Sequence, residues 1–387
     1  MNLSLASSIP PELILHIFFM TKPHRTPRDF IPDSFLPKLA LVNRTYLEVA
    51  RERLYTDVFL TGHGSLSTKD VVCRFLWTLQ VQPSLTEQVH GIHYGATDVE
   101  DDEVRCLSDA VSRIGNLLRL RIFGFDSDYT SLKRLSQVVQ SLHTLQEFEI
   151  STFSLTNKYS SIFCGLVSFF EMLLRWPDIR SVIVHSQTIG WERNSTFSLS
   201  EAIPSCCTKL RRLVYHSAEY WEDRHLEVLS RMAPELEELA IGGVLTSENL
   251  TGKGLSSALE AWLSSLRILS LHFPHSEKEA GVYDKFRLDS AITQLPELRV
   301  LDVGSAYLRP ISLVRGPPKL TTLDLSIKAD EGHAAELADV LRDPLALPML
   351  SELFIRLDTK ITQQDIADLY TLCTRRRVLL NIRHVSR

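Results

Sequence analysis

LRVLDV, residues 298–303, is a six-residue phrase that this chain writes again as LEELAI at 236–241, LRILSL at 266–271, LTTLDL at 320–325 and LSELFI at 350–355. Apolar residues fall at alternate positions within each phrase. Leu269 and Leu271 therefore share one face of an extended backbone, the period-two signature of a strand with one side buried. With the first apolar residue as marker, the phrase recurs at Val89, Leu117, Leu145, Ile179, Leu210, Leu236, Leu266, Leu298, Leu320 and Leu350. The intervals run from 22 residues (Leu298 to Leu320) to 34 (Leu145 to Ile179).

Between the phrases the spacing changes to three and four. EVRCLSDAVSRI aligns Val104, Leu107, Val111 and Ile114; SLKRLSQVVQSL aligns Leu132, Leu135, Val138 and Leu142; HLEVLSRM aligns Leu226, Leu229 and Met232, with Pro234 just beyond. Such stripes predict amphipathic helices. The unit is one strand plus one helix, and neither buries its apolar face unless neighbours stack on it. The expected fold is α/β, with about ten units across residues 56–387, parallel strands on a concave side and helices on a convex side. This pattern resembles the leucine-rich-repeat family, whose repeats set the same phrase at similar intervals. The family's Asn or Cys after the phrase is replaced here by Phe125, Thr152, Ser217, Gly243 and Ser305, so no asparagine ladder is expected.

The first 55 residues break the pattern. IPPELILHIFF places Leu13, Ile14, Ile17 and Phe18 on one stripe after two prolines, which a helix start tolerates. FLPKLALVNRTYLEVARERLYTDVFL resumes helical spacing through Leu36, Leu39, Val42, Tyr46 and Leu54. A module this small cannot bury all of those positions internally. It either caps the array, as solenoids require, or offers its stripe to another chain. The stretch resembles the F-box motif: Ile9, Pro10, Glu12 and Leu13 follow its opening, Leu39, Leu41 and Val42 its second block, and Tyr46 stands at its usual tryptophan. The resemblance implies a three-helix F-box over residues 8–55. It further implies that Pro10, Leu13, Ile14, Ile17, Leu39, Val42 and Tyr46 bind a Skp-family adaptor of a cullin ubiquitin ligase while the repeats hold a target protein. Such a receptor performs no chemistry itself. The alternative is a repeat scaffold whose N-terminal helices only cap it.

Composition narrows the partners. The 387 residues carry a net charge of −5, which is unsuited to a broad grip on nucleic acid. No run of about 18 apolar residues occurs, so no membrane span is expected. The start lacks the basic residues of a secretory leader. Six cysteines stand at 73, 106, 164, 206, 207 and 373 with no Cys-x-x-Cys pair. That scatter suits a reducing compartment, cytoplasmic or nuclear. TGHGSLSTK at 61–69 and LTGKGLSS at 250–257 both fail the phosphate-loop test and are expected as turns. No cofactor is expected, and the chain is read as a non-enzyme.

Strand positions between the core apolars face outward. They supply the expected target-binding residues, Ile183, His185, Val214, His216, Ile268 and His272, with Ala240 and Gly242 as a shallow floor. Of these, Ile183, Val214 and Ile268, with Phe123 and Phe354, are read as exposed apolar positions. His185 and His216 fall on neighbouring strands and His272 two strands further on. A metal there would need another ligand, and none is expected. Charge also changes along the face, from Arg119 and Arg121 through Glu147 and Glu149 to Asp302, Asp324 and Glu352. That order predicts a preference for a partner with a basic segment at the far end.

Overall fold

The computed structural model describes residues 55–62, 66–95, 99–124, 129–152, 166–186, 206–244, 250–273, 287–304, 307–327, 332–357 and 362–384. The chain falls into two compact units, Met1–Phe163 and Cys164–Arg387.

In the first unit, strands β1 (Asp57–Thr61), β2 (Gly91–Gly95), β3 (Arg119–Phe123) and β4 (Glu147–Thr152) pair in parallel and in chain order. Helices α1 (Thr68–Val81), α2 (Asp101–Ser112) and α3 (Tyr129–Gln140) connect them. Parallel neighbours need such crossovers, because a tight turn can join only antiparallel strands. Ser67 starts α1 with a capping box shared with Asp70. The expected stripe of Val104, Leu107, Val111 and Ile114 is buried. On α3 Leu135 and Val139 are buried, as is Leu142 just beyond it, while Val138 is half-exposed. A 3.6-residue period permits either register there, and packing selects Val139.

In the second unit, β5 (Ser181–Ser186), β6 (Arg212–Tyr220), β7 (Glu238–Val244), β8 (Ile268–His272), β9 (Val300–Gly304), β10 (Thr322–Ile327), β11 (Glu352–Leu357) and β12 (Leu379–His384) also pair in parallel, in chain order. Helices α4 (Leu166–Arg175), α5 (Asp223–Met232), α6 (Gly252–Ala261), α7 (Asp289–Thr293), α8 (His333–Arg342) and α9 (Gln363–Arg376) alternate with them. The 22-residue interval departs from one helix per unit. It holds a 3-10 turn, Pro310–Arg315, with proline in its first turn, because the short interval and its prolines leave no room for α-helical turns. The basic stretch CTRRRVLLNIRH, residues 373–384, supplies the end of α9 and β12. Arg376 there is turned inward, its Nη2 donating to the carbonyls of Ala346 (2.6 Å) and Leu347 (3.1 Å).

A seam of backbone hydrogen bonds joins consecutive units. At the entrance of several strands, one carbonyl accepts from two successive N–H groups of the next unit. Leu118 and Arg119 donate to His90 O, Glu237 and Glu238 to Arg211 O, Arg299 and Val300 to Arg267 O, and Ser351 and Glu352 to Thr321 O. The pattern uses no side chain, so any residue with a backbone N–H can occupy the donor positions. Side chains tie the helix layer. Trp262 at the end of α6 donates through Nε1 to Ala233 O at 2.8 Å, one unit earlier. Asp223 on α5 accepts from Thr251 N and Thr251 Oγ1, both at 2.7 Å. The Gly252-Lys253-Gly254 stretch, expected as a turn, is the first turn of α6. A Cβ at Gly254 would meet Asp223 Oδ1 at 2.1 Å, so this glycine serves the contact between helix starts.

The architecture within each unit is a parallel strand–helix repeat, as expected. Among the described residues no helix is long and apolar enough to cross a membrane.

Candidate functional site

The strands present two faces. Leu213, Leu239, Leu269, Leu301, Leu323 and Leu353 point into the core and are buried. The alternate residues form rows across the opposite face, set by the parallel register.

One row of the second unit carries the three histidines. His185 and His216 are register partners, with ring centroids 5.2 Å apart and nearly perpendicular planes. The next strand carries Gly242, and the strand after it His272. Because Gly242 has no side chain, the His272 ring closes on His216 with centroids 5.3 Å apart. His272 stands two strands from His216, as expected, yet the rings form one continuous ladder. His216 Nε2 is buried and has no hydrogen-bond partner among the described residues. Burial, and then the flanking imidazoles of His272 and His185, hold the His216 ring down to about 4, so it is neutral at physiological pH. Burial and Arg212 lower His185 in the same way.

His272 opens a polar network. Its Nε2 lies 2.7 Å from Ser270 Oγ and 2.8 Å from Asp302 Oδ2, and Ser270 Oγ donates to the same carboxylate at 3.1 Å. Arg356, three strands from His272, donates through Nε to Asp324 Oδ1 at 3.0 Å and through Nη2 to Asp302 Oδ1. Its Nη1 comes to 3.4 Å from His272 Nδ1. Burial alone would raise Asp302, but His272, Arg356 and Ser270 together lower it. For Asp324, burial and the Asp302 charge outweigh the guanidinium groups of Arg356 and Arg383, and the carboxyl is raised. The Arg383 guanidinium lies 5.3 Å over the Phe354 ring.

The trio Ser270, His272 and Asp302 is not a nucleophile, base and orienter. Those roles need the hydroxyl and the carboxylate on opposite ring nitrogens, whereas both oxygens here share Nε2 and Arg356 faces Nδ1. Nor do the histidines converge on a point. Among the described residues no group of three or more His, Cys, Asp or Glu side chains is placed to hold a metal ion.

The apolar positions of the face divide. Ile183, Val214 and Ala240 form a cluster that is 9%, 7% and 7% exposed. The expectation of exposed anchors fails for Ile183 and Val214, because neighbouring strands bring their side chains together laterally. Ile268, Phe123 and Phe354 are half-exposed. The expected acidic end is also corrected, since Arg356 occupies both Asp302 and Asp324.

The first unit repeats this internal pairing. Arg119 Nη2 donates to Asp57 Oδ1 at 2.7 Å, and His93, stacked on Phe59 at 4.5 Å, approaches the same oxygen at 3.8 Å. Burial would raise Asp57, but His93 and Arg119 overcome it and hold the carboxyl well below the usual range. Arg121 lies 3.4 Å from Glu147 and 3.3 Å from Glu149. Ser270 and Arg356 went unread in the sequence, where a lone serine and arginine at alternate strand positions look like any solvated residue.

Pro10, Leu13, Ile14, Ile17, Leu39, Val42 and Tyr46, the expected adaptor-binding residues, lie outside the described residues.

No family model matches the chain, and no curated protein does. Chains of solved structures do match. One belongs to a crystal structure of a TLR13–ssRNA13 complex, with 11% sequence identity and a TM-score of 0.32 over 78% of this chain and 34% of that one. This chain therefore spans about a third of the length of that match.

Proposed function

We propose that this protein is a non-catalytic substrate receptor of a Skp–cullin–F-box type ubiquitin ligase. Residues 8–55 bind the Skp-family adaptor, and the outward strand face of the repeats binds a target protein. The observation that carries the reading is the F-box-like sequence from Ile9 to Tyr46, running directly into a strand–helix array. Nothing in the proposal requires chemistry by this chain. Holding a target near a ubiquitin-charged enzyme raises its effective concentration, which is the whole of the receptor's task.

The contact surface on the repeats is drawn from the half-exposed residues, with Ile268 and Phe354 as apolar anchors beside the His272–Arg356 network. Apolar anchors ringed by polar groups are where interfaces concentrate energy. Ile183 and Val214 support the floor beneath.

The test is adaptor capture by the full chain. Replacing Pro10 and Leu13 together with Ala should abolish recovery of the adaptor and cullin while the circular dichroism of the repeats is unchanged. Unchanged recovery overturns the ligase reading and leaves the capped scaffold. For the target, Ile268→Arg should lower capture of co-purifying proteins, whereas Glu227→Lys on α5 should not. The reverse pattern moves the target off the strand face.

A further inference from the structure

Consecutive units bring together two cysteines that the sequence keeps 33 positions apart. Cys73 lies on α1 and Cys106 on α2, and the two helices pack against each other. The two thiols share a hydrogen bond, with their sulfurs 2.8 Å apart. Both are free and half-buried. That separation is inside ordinary sulfur–sulfur contact and within an ångström of a covalent bond of about 2.05 Å.

We propose that Cys73 and Cys106 form a thiol–disulfide exchange site for low-molecular-weight disulfides of the glutathione class, closing to a reversible crosslink between α1 and α2. This inference is independent of the ligase reading.

The exchange balances without any further oxidant. The Cys73 thiolate attacks one sulfur of the small disulfide, forms a mixed disulfide and releases one thiolate. The Cys106 sulfur then gives up its proton to solvent and attacks the Cys73 sulfur, releasing the second thiolate. Two protein thiols are oxidised and one small disulfide is reduced to two thiols. The order of attack follows from the surroundings. Burial and the contact with Cys73 push the Cys106 thiol up to about 11, so it is the poorer first nucleophile. Its own attack is intramolecular, where proximity compensates for low thiolate content.

The other described cysteines are internal controls. Cys206 and Cys207 are chain neighbours with sulfurs 3.7 Å apart, and the Cys207 thiol donates to Leu173 O at 3.2 Å. Cys373 is buried.

The experiment equilibrates reduced full-length protein with mixtures of oxidised and reduced glutathione, traps free thiols by alkylation, and maps the peptides. Wild type should yield the Cys73–Cys106 crosslink. Cys106→Ser should stop as a glutathione adduct on Cys73, and Cys73→Ser should form neither. In denaturing urea the equilibrium constant for closing should fall at least ~10-fold, because the held geometry is lost. The wild-type comparison with and without urea stands even if a serine variant fails to fold. The proposal is overturned if wild type keeps both thiols alkylatable in fully oxidised glutathione, if it stops at the mixed adduct, or if closing is equally favourable in urea.

Discussion

The imidazole of His216 packs edge-on against that of His272 although a whole strand lies between them, and the strand allows it by carrying Gly242 at that row. A Cβ at residue 242 would lie 2.7 Å from His272 O and 3.1 Å from His272 Cβ. Backbone cannot yield as a flexible side chain can, so Gly242→Ala should destabilise the second unit by about 1–3 kcal/mol. Urea unfolding checks it: a midpoint equal to wild type would mean that the ladder does not depend on the gap.

The buried histidines make stability depend on pH. His225, 5% exposed, accepts from Glu222 N at 3.1 Å through Nδ1 and is held by burial, and by Arg224, down to about 4. His216 is lowered to a similar value. A depressed folded pKa means that the unfolded chain binds the proton first. Stability is therefore full above about 6.5 and is lost as pH falls towards about 4, by up to ~3 kcal/mol for the buried His225. His225→Gln, which keeps a capping acceptor on the first turn of α5, should flatten the pH dependence of the melting temperature over that window. An unchanged slope would remove His225 from the account.

Glu103 has the opposite sign. It is 2% exposed and takes a hydrogen bond from Tyr94 OH at 2.7 Å, and burial raises its carboxyl. A raised folded pKa gives stability that is complete below the unfolded value of about 4.5 and is lost as pH rises. Glu103→Gln keeps the acceptor and removes the charge. It should raise stability at pH 7 and give no gain at pH 4, as read by chemical denaturation at the two pH values. Tyr94→Phe should instead cost about 1–3 kcal/mol at pH 7, by taking the donor from a buried carboxylate.

Arg356 holds Asp302 and Asp324 together. Arg356→Met leaves two neighbouring, mostly buried carboxylates without their shared cation, and should cost about 1–3 kcal/mol at pH 7. Adding Asp324→Asn should recover part of that loss, because it removes the repulsion. A double-mutant cycle measures the coupling; zero coupling would mean that solvent already screens the pair.

The sequence by itself determined the repeat. Alternating Leu269 and Leu271 between helical stripes such as Leu226, Leu229 and Met232 can bury both faces only by stacking like units, and that logic needs no knowledge of distant contacts. It also put His185 and His216 on adjacent strands, because parallel register follows from the phase of the phrase. Tertiary structure decided what those positions meet. Lateral packing buried Ile183 and Val214, Gly242 let His272 rejoin the ladder, Arg356 took the carboxylates that seemed open to a partner, and Cys73 met Cys106. Each of these depends on the reach of a side chain across one or more neighbouring strands or helices. Periodicity along a chain states which face a residue is on, and the neighbours on that face come from units 20 to 90 residues away, so their company is settled only when the units stack.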